Sequence, residues 1–184
     1  MYYNKYESEN VYLSPMCVDD FQTYTRWIND ESLSSGLGNF KFNTTELIEK
    51  EWIENVCKNG EHHFSIVRKS DNKLLGTYGL EVKDNVSRRL HFGGFIGEKE
   101  DRGKGYGTEA LKLITKFAFE ILNAETIFSG IFSFNEASLK SAIKAGYSIA
   151  GKYRNAYYYN GKFYDEICIE ITKEDYIKLK NNQK

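Results

Sequence analysis

The stretch RGKGYGTEALKLI, residues 102–114, sets three glycines at alternate positions directly ahead of a helical pattern. Ala110, Leu111, Ile114, Phe117, Ala118, Ile121 and Leu122 recur at intervals of three and four, so residues 107–122 are predicted to form an amphipathic helix with one face to bury. Glycine is the poorest ordinary helix former, and three together weaken a helix entrance unless something is gained there. A strand, a glycine-rich turn and a helix start make an anion site: first-turn N–H groups lack partners inside the helix, and the dipole is positive at that end. Gly103, Gly105 and Gly107 would let a phosphate reach the main chain, while Arg102, Lys104 and Thr108 offer charge or a hydroxyl. The plainer alternative is a tight turn beside an incidental basic residue. The spacing excludes some ligands: Lys104 lies between glycines rather than after the last one, as a Walker loop requires, and GxGxG is not the dinucleotide GxGxxG. ATP and NAD are disfavoured.

Around this centre the chain alternates periods. VYLSP (11–15) reads as a strand ended by the sole proline, and Phe21, Tyr24, Trp27 and Ile28 follow at helical spacing. SLSSGLGNFKFN (32–43) reads as a polar loop. Thr44 or Thr45 can cap a second helix carrying Leu47, Ile48, Glu51, Trp52 and Val56 and ending near Asn59-Gly60. HHFSIVRK, LLGTYGLEVK and RRLHFGGFIG form an antiparallel meander; beyond the long helix come the strand TIFSGIFS and a short helix closed by Gly146. A hairpin turning at Asn160-Gly161 follows, and the charged tail from Lys173 is expected to fray. With 184 residues and neither repeat nor linker, one α+β domain spanning 1–184 is the economical reading.

Composition narrows the partners. A formal net charge of −1 provides no broad field for nucleic acid or an anionic membrane, so neither is expected as a partner. Cys17, Cys57 and Cys168 are odd in number and lack CxxC spacing, which favours buried thiols in a reducing cytoplasm over a metal site. No apolar run approaches the roughly 18 residues of a membrane span. A cytoplasmic protein is expected.

Arg102-Gly103-Lys104-Gly105-Tyr106-Gly107 matches the [QR]xxGx[GA] signature of the GNAT superfamily of acetyl-CoA-dependent N-acetyltransferases. GYGTEAL, NEAS, IKAGY and the closing YYYNGKFYDEICIEI resemble its RimJ/RimL branch, and the element order agrees over residues 10–176. The resemblance implies a mixed, mostly antiparallel sheet of about seven strands, splayed at the fourth and fifth and flanked by about four helices. It also implies acetyl-CoA as acyl donor, a primary amine as acceptor, and a monomer or homodimer. Amides of 103–108 would hold the coenzyme diphosphate, with Arg102, Lys104, Tyr106 and Thr108 at hand, and main-chain groups of Phe95, Ile96 and Gly97 would pair with the pantetheine arm. Asn135 matches the cofactor-contacting asparagine of the NxxS motif, and Ser138 its serine near the thioester sulfur.

Acetyl transfer needs a neutral amine, a polarised thioester and a proton source for the thiolate. The family's usual tyrosine acid is replaced here by Ala142, which leaves Ser138 as the candidate, with helix capping beside Asn135 as its other reading. No acidic residue lies between Arg88 and Gly97, where relatives often place a base. His91 has a suitable intrinsic pKa on that strand, and an ordinary structural histidine is the other reading. His62 and His63 show no third ligand at metal spacing, so no metal is expected. The hairpin tyrosines, with Tyr157 and Tyr159 on one face and Tyr158 on the other, serve either as core or as one wall of an acceptor site opposite residues 34–43. Asp30, Glu31 and Asp165 either attract the amine or are solvated. The acceptor could be a protein N-terminal amine, or a polyamine, aminoglycoside or amino sugar. A coenzyme-binding module without turnover, and a phosphotransfer protein, are the rival classes.

Overall fold

The computed structural model describes residues 1–38 and 43–182. Its strands are β1 (Tyr6–Glu7), β2 (Val11–Pro15), β3 (His62–Arg68), β4 (Leu74–Asp84), β5 (Arg89–Ile96), β6 (Thr126–Phe132), β7 (Ser148–Tyr159) and β8 (Lys162–Thr172). They hydrogen-bond in the order β1-β2-β3-β4-β5-β6-β8-β7. β1–β2, β2–β3, β6–β8 and β7–β8 are antiparallel, while β5 and β6 are parallel. A parallel pair needs a long crossover. The amphipathic helix α4 (Tyr106–Glu120) supplies it, with Ala110, Leu111, Ile114, Phe117 and Ala118 buried as the spacing predicts. The fold is thus α+β around a mixed sheet, with eight strands where about seven are predicted; β1, two residues long, shows no alternation to read.

Among the described residues there are six α-helices rather than about four. Part of the expected loop is helical: in α2 (Glu31–Leu37), Asp30 Oδ1 accepts from the N–H of Ser32 at 2.9 Å, and Gly38 closes the helix in the left-handed region. Residues 39–42 of that expected loop lie outside the described residues. The charged tail expected to fray is helical over its described residues, 173–182, and residues 183–184 lie outside them. In α6 (Lys173–Asn182), Tyr176 stacks on Phe119 with centroids 4.9 Å apart, and its hydroxyl and Lys180 Nζ both reach Glu120 Oε1. Tertiary contacts override the tail's weak apolar pattern.

α1 (Phe21–Ile28) buries Tyr24 and Trp27 as predicted, but α3 (Glu46–Asn59) is turned otherwise than its apolar residues suggest. Leu47 and Ile48 are 75% and 56% exposed; the buried residues are Glu49, Ile53 and Val56. Asn29 Nδ2 donates to the Thr44 carbonyl and Cys57 Sγ reaches the Met16 carbonyl, contacts that join the end of α1 to the start of α3 and the end of α3 to the segment before α1.

The chain divides into two compact units, 1–79 with 94–113 and 80–93 with 114–184; β4, β5 and α4 each contribute to both. The first has a core of Val11, Leu13, Tyr24, Trp27, Ile53, Ile66 and Leu75, and the second one of Leu90, Ile114, Ile127, Ile169 and Ile171. No described helix is long and apolar enough to cross a membrane.

Candidate functional site

Gly103 and Gly105 take φ values of +76° and +91°, a region where a side chain is strained. A Cβ built on either meets no protein atom within 4 Å, so the main chain there is open on the side a side chain would fill. The N–H of Glu109 donates to the Gly105 carbonyl at 3.0 Å, so α4 opens directly on the glycine loop. The loop is therefore an open run of main chain at a helix start, with both glycines required by conformation.

This loop is anchored from beneath. Asp101, 1% exposed, faces Arg68 Nη1 at 3.0 Å, Lys73 Nζ at 2.7 Å and Lys104 Nζ at 3.7 Å. Glu109, in the first turn of α4, accepts from Ser8 Oγ and from both the main-chain and side-chain nitrogens of Asn10. Tyr106 lines a cavity of about 300 Å³ with Glu9, Asn10, Arg68, Lys69 and Ser70.

Arg102 is differently employed from the expectation. Its Nε and Nη2 donate to the carbonyls of Ile96 at 3.1 Å and Gly97 at 2.5 Å, so the guanidinium ties the end of β5 to the loop. Gly97 gives its N–H to the Leu75 carbonyl at 2.8 Å. Adjacent strand residues aim their main-chain bonds to opposite sides. Gly97 and Phe95 thus address β4, and Ile96 and Gly94 address the other side. The β5–β6 ladder covers three register pairs, Arg89–Thr126, Leu90–Ile127 and His91–Phe128, whereas β6 pairs with β8 along its whole length.

The second unit carries the remaining expected residues. Asn135 caps α5 (Glu136–Lys144), its Oδ1 accepting from the N–H of Ser138 at 3.2 Å. That motif therefore has the capping role, performed by the asparagine; the Ser138 hydroxyl is half-buried and is not the capping group. His91 packs edge-on to Phe128 with centroids 5.5 Å apart; burial, aided by Lys83 and opposed by Glu81, holds it below the ordinary histidine pKa. Phe132, Phe134, Tyr157, Tyr159 and Tyr164 form a ring cluster, with Phe132 and Tyr157 stacked at 3.8 Å, while Tyr158 meets Phe163. The predicted alternation of the tyrosines holds, and the turn residues Asn160 and Gly161 both have positive φ.

Two of the acids considered for amine attraction are occupied. Asp30 caps α2, and the bonds from Ser32 depress its pKa; Asp165 pairs with Lys152 Nζ at 2.8 Å and accepts from the N–H of Asn155. The acid that sequence reasoning missed is Glu49, 4% exposed with an unpartnered Oε1; burial pushes its pKa up to about 7. The signal was its spacing of four and seven from Ile53 and Val56, masked by the apolar but exposed Leu47 and Ile48.

Residues 10–148 match the family model described as the Acetyltransferase (GNAT) domain. The SPbeta prophage-derived N-acetyltransferase YokL of Bacillus subtilis is 27% identical over 148 residues, covering 80% of this chain and 82% of its own. Among solved structures, spermidine N-acetyltransferase from Vibrio cholerae, in complex with CoA and spermine, superposes with a TM-score of 0.81 at 18% identity, over 91% of this chain and 98% of that one. The ribosomal-protein-S5-alanine acetyltransferase from Vibrio fischeri gives a TM-score of 0.73 at 22% identity, over 92% and 96%. At these identities the two structures speak for the fold.

Proposed function

Because this chain belongs to the GNAT acetyltransferase family, we propose that it moves an acetyl group from acetyl-CoA to a primary amine by direct attack within a ternary complex. The observation that carries this reading is the loop: two left-handed glycines with open space where their side chains would be, at a helix start, fit a diphosphate held by main-chain amides. Lys104 adds a cation, and Asp101 braces the loop from the protein side. Gly94 and the N–H of Ile96, which face away from β4, suit the amide-bearing pantetheine arm as a further strand would, the Ile96 carbonyl being held by Arg102. An N–H on that edge would stabilise the oxyanion as nitrogen adds to the thioester carbon. The resemblance of the NxxS motif implies contact with the cofactor for Asn135, beside its cap bond, and a proton from Ser138 for the departing sulfur.

The acceptor is an aliphatic amine, either the α-amine at a protein N-terminus or a small-molecule amine. Free CoA at 100-fold over its dissociation constant should stabilise the protein by about 2.7 kcal/mol. That is a rise in Tm of about 5–10 °C for a chain of this size. ATP should give no such rise. Thiol release from acetyl-CoA should then appear with at least one of an alanine-initiated peptide, spermidine and glucosamine. No thermal response to CoA would reject the proposal.

A further inference from the structure

In α3, Glu49 stands one helical turn ahead of Ile53, which is fully buried in a cluster with Tyr24, Trp27, Leu33 and Val56. Glu49 shares the buried face of α3 with Ile53 and Val56, and one of its carboxylate oxygens lacks a hydrogen-bond partner. The titratable neighbours come from α1 and its cap: the hydroxyl of Tyr24, committed to Ser65 Oγ at 3.0 Å, and Asp20, which accepts from Tyr2. The charges of Asp20 and Glu49 both add to the burial that raises Tyr24, which places the two carboxylates around one phenol. Among the described residues no cation is paired with Glu49, and its shift has burial as its cause.

The same cluster carries the end of β5. Phe95 packs against it, with Trp27 edge-on at 6.1 Å, and the Gly97 α-carbon rests on the Trp27 ring, where a Cβ would come within 2.1 Å. Ile96, between them, is a residue proposed above to hold the thioester arm. Leaving a buried oxygen unpaired is costly. A glutamine or leucine would cost less at a purely structural position, and such exceptions gather where chemistry needs them. β5 itself offers no acid between Arg88 and Gly97.

We infer that Glu49 is the proton acceptor for the incoming amine, a catalytic carboxylate delivered from α3 to the Trp27–Phe95 end of β5. The inference rests on the acetyl-CoA reading above. In the step, the ammonium gives one proton to the Glu49 carboxylate and thence to water. The freed lone pair forms the C–N bond, and the C–S bond breaks as the adduct collapses. The second proton, from the nitrogen of the adduct, replaces the one that the Ser138 hydroxyl gives to the departing thiolate. A carboxylate poised near neutrality is suited to this work, since it is ionised over the upper part of the physiological range and still basic.

The test uses the full chain, with wild type and Glu49→Gln compared in thiol release from acetyl-CoA against spermidine, an alanine-initiated peptide and glucosamine. Glutamine keeps the shape and the uncharged state, so the variant folds. The expected result is a fall in kcat of about 100-fold or more. The limb of the wild-type kcat/KM profile that rises near pH 7 should disappear, and the CoA dissociation constant should stay within about twofold by calorimetry. A kcat within threefold of wild type with the same limb overturns the inference. So does loss of CoA affinity together with turnover, because a base acts on the acceptor side alone. Independently of turnover, the Glu49 carboxyl, followed by carbon-13 NMR as the glutamate resonance missing from Glu49→Gln, should titrate near 7; a midpoint below 5 overturns the inference even if the enzyme finds no acceptor among the three. The wild-type affinity for CoA judges the coenzyme reading separately.

Discussion

Two carboxylates of the same unit are almost equally hidden, Asp101 at 1% exposure and Glu49 at 4%, and they live in opposite surroundings. Asp101 has Arg68, Lys73 and Lys104 within 4 Å, so its charge is answered on several sides. Glu49 has an oxygen with no partner and shares the buried face of α3 with Ile53 and Val56. Burying a charge is costly unless it is paired, and a group left unpaired drifts toward its neutral form. The pairing of Asp101 ties the turn after β3 to the loop that α4 grows from, and such an arrangement holds geometry. The isolation of Glu49 holds a proton equilibrium near neutrality. A buried acid with cations braces; a buried acid without them is available for chemistry.

The largest effect expected from breaking this contrast is at the braced residue. Asp101→Ala removes the common partner of three cations and should cost roughly 2–3 kcal/mol in urea unfolding, below the 3–5 kcal/mol typical of a broken buried pair because the lysines can turn to water. CoA affinity should fall with it, since the loop loses its underside. A change below about 0.5 kcal/mol would make Asp101 a bystander. Next comes the loop itself. Gly105→Ala places a side chain at φ +91°, a strain of about 1–2 kcal/mol. Because that Cβ meets only open space, the loss in CoA affinity should exceed about tenfold. Unaltered affinity measured by calorimetry would show that no diphosphate comes close to that main chain.

Smaller, and of opposite sign, is the effect at the isolated acid. The folded-state pKa of Glu49 is raised from 4.5 to about 7. The stability that its protonation contributes is complete below pH 4.5 and is lost as pH rises through about 7. Glu49→Gln should therefore melt a few degrees above wild type at pH 8, with the gap closing as pH falls toward 4.5. Equal melting temperatures across that range would mean that the carboxylate is solvated or paired.

What the sequence disclosed, and what it hid, follows the same division between local and tertiary causes. The alternate glycines, the long helix, the Asn135 cap and the Asn160-Gly161 turn are local instructions, and each appears where its chemistry places it. α2 escaped because seven residues with three serines and a glycine inside have weak helix propensity, although its Asp30 and Gly38 caps stood in plain sight. α6 depends on Tyr176 meeting Phe119 and Glu120 from fifty-odd residues away, which no local pattern announces. The direction of Arg102 was similarly hidden: a basic residue beside a glycine loop suggests an anion ligand, and the folded chain supplies the carbonyls of Ile96 and Gly97 instead. Glu49 was lost to a wrong choice of helix face, since Leu47 and Ile48 advertise a stripe that α3 turns to solvent.

The smallest predicted effect probes that choice of face. If α3 sits as described, Leu47→Lys replaces one exposed side chain by another and should change unfolding free energy by less than about 0.5 kcal/mol. Leu47 and Glu49 are two residues apart, about 200° around a helix at 3.6 residues per turn, so both cannot face the core. A loss of 2 kcal/mol or more at Leu47, in the range of a buried leucine, would turn the helix over, carry Glu49 into water and leave Asp101 as a buried acid with nothing to be contrasted against.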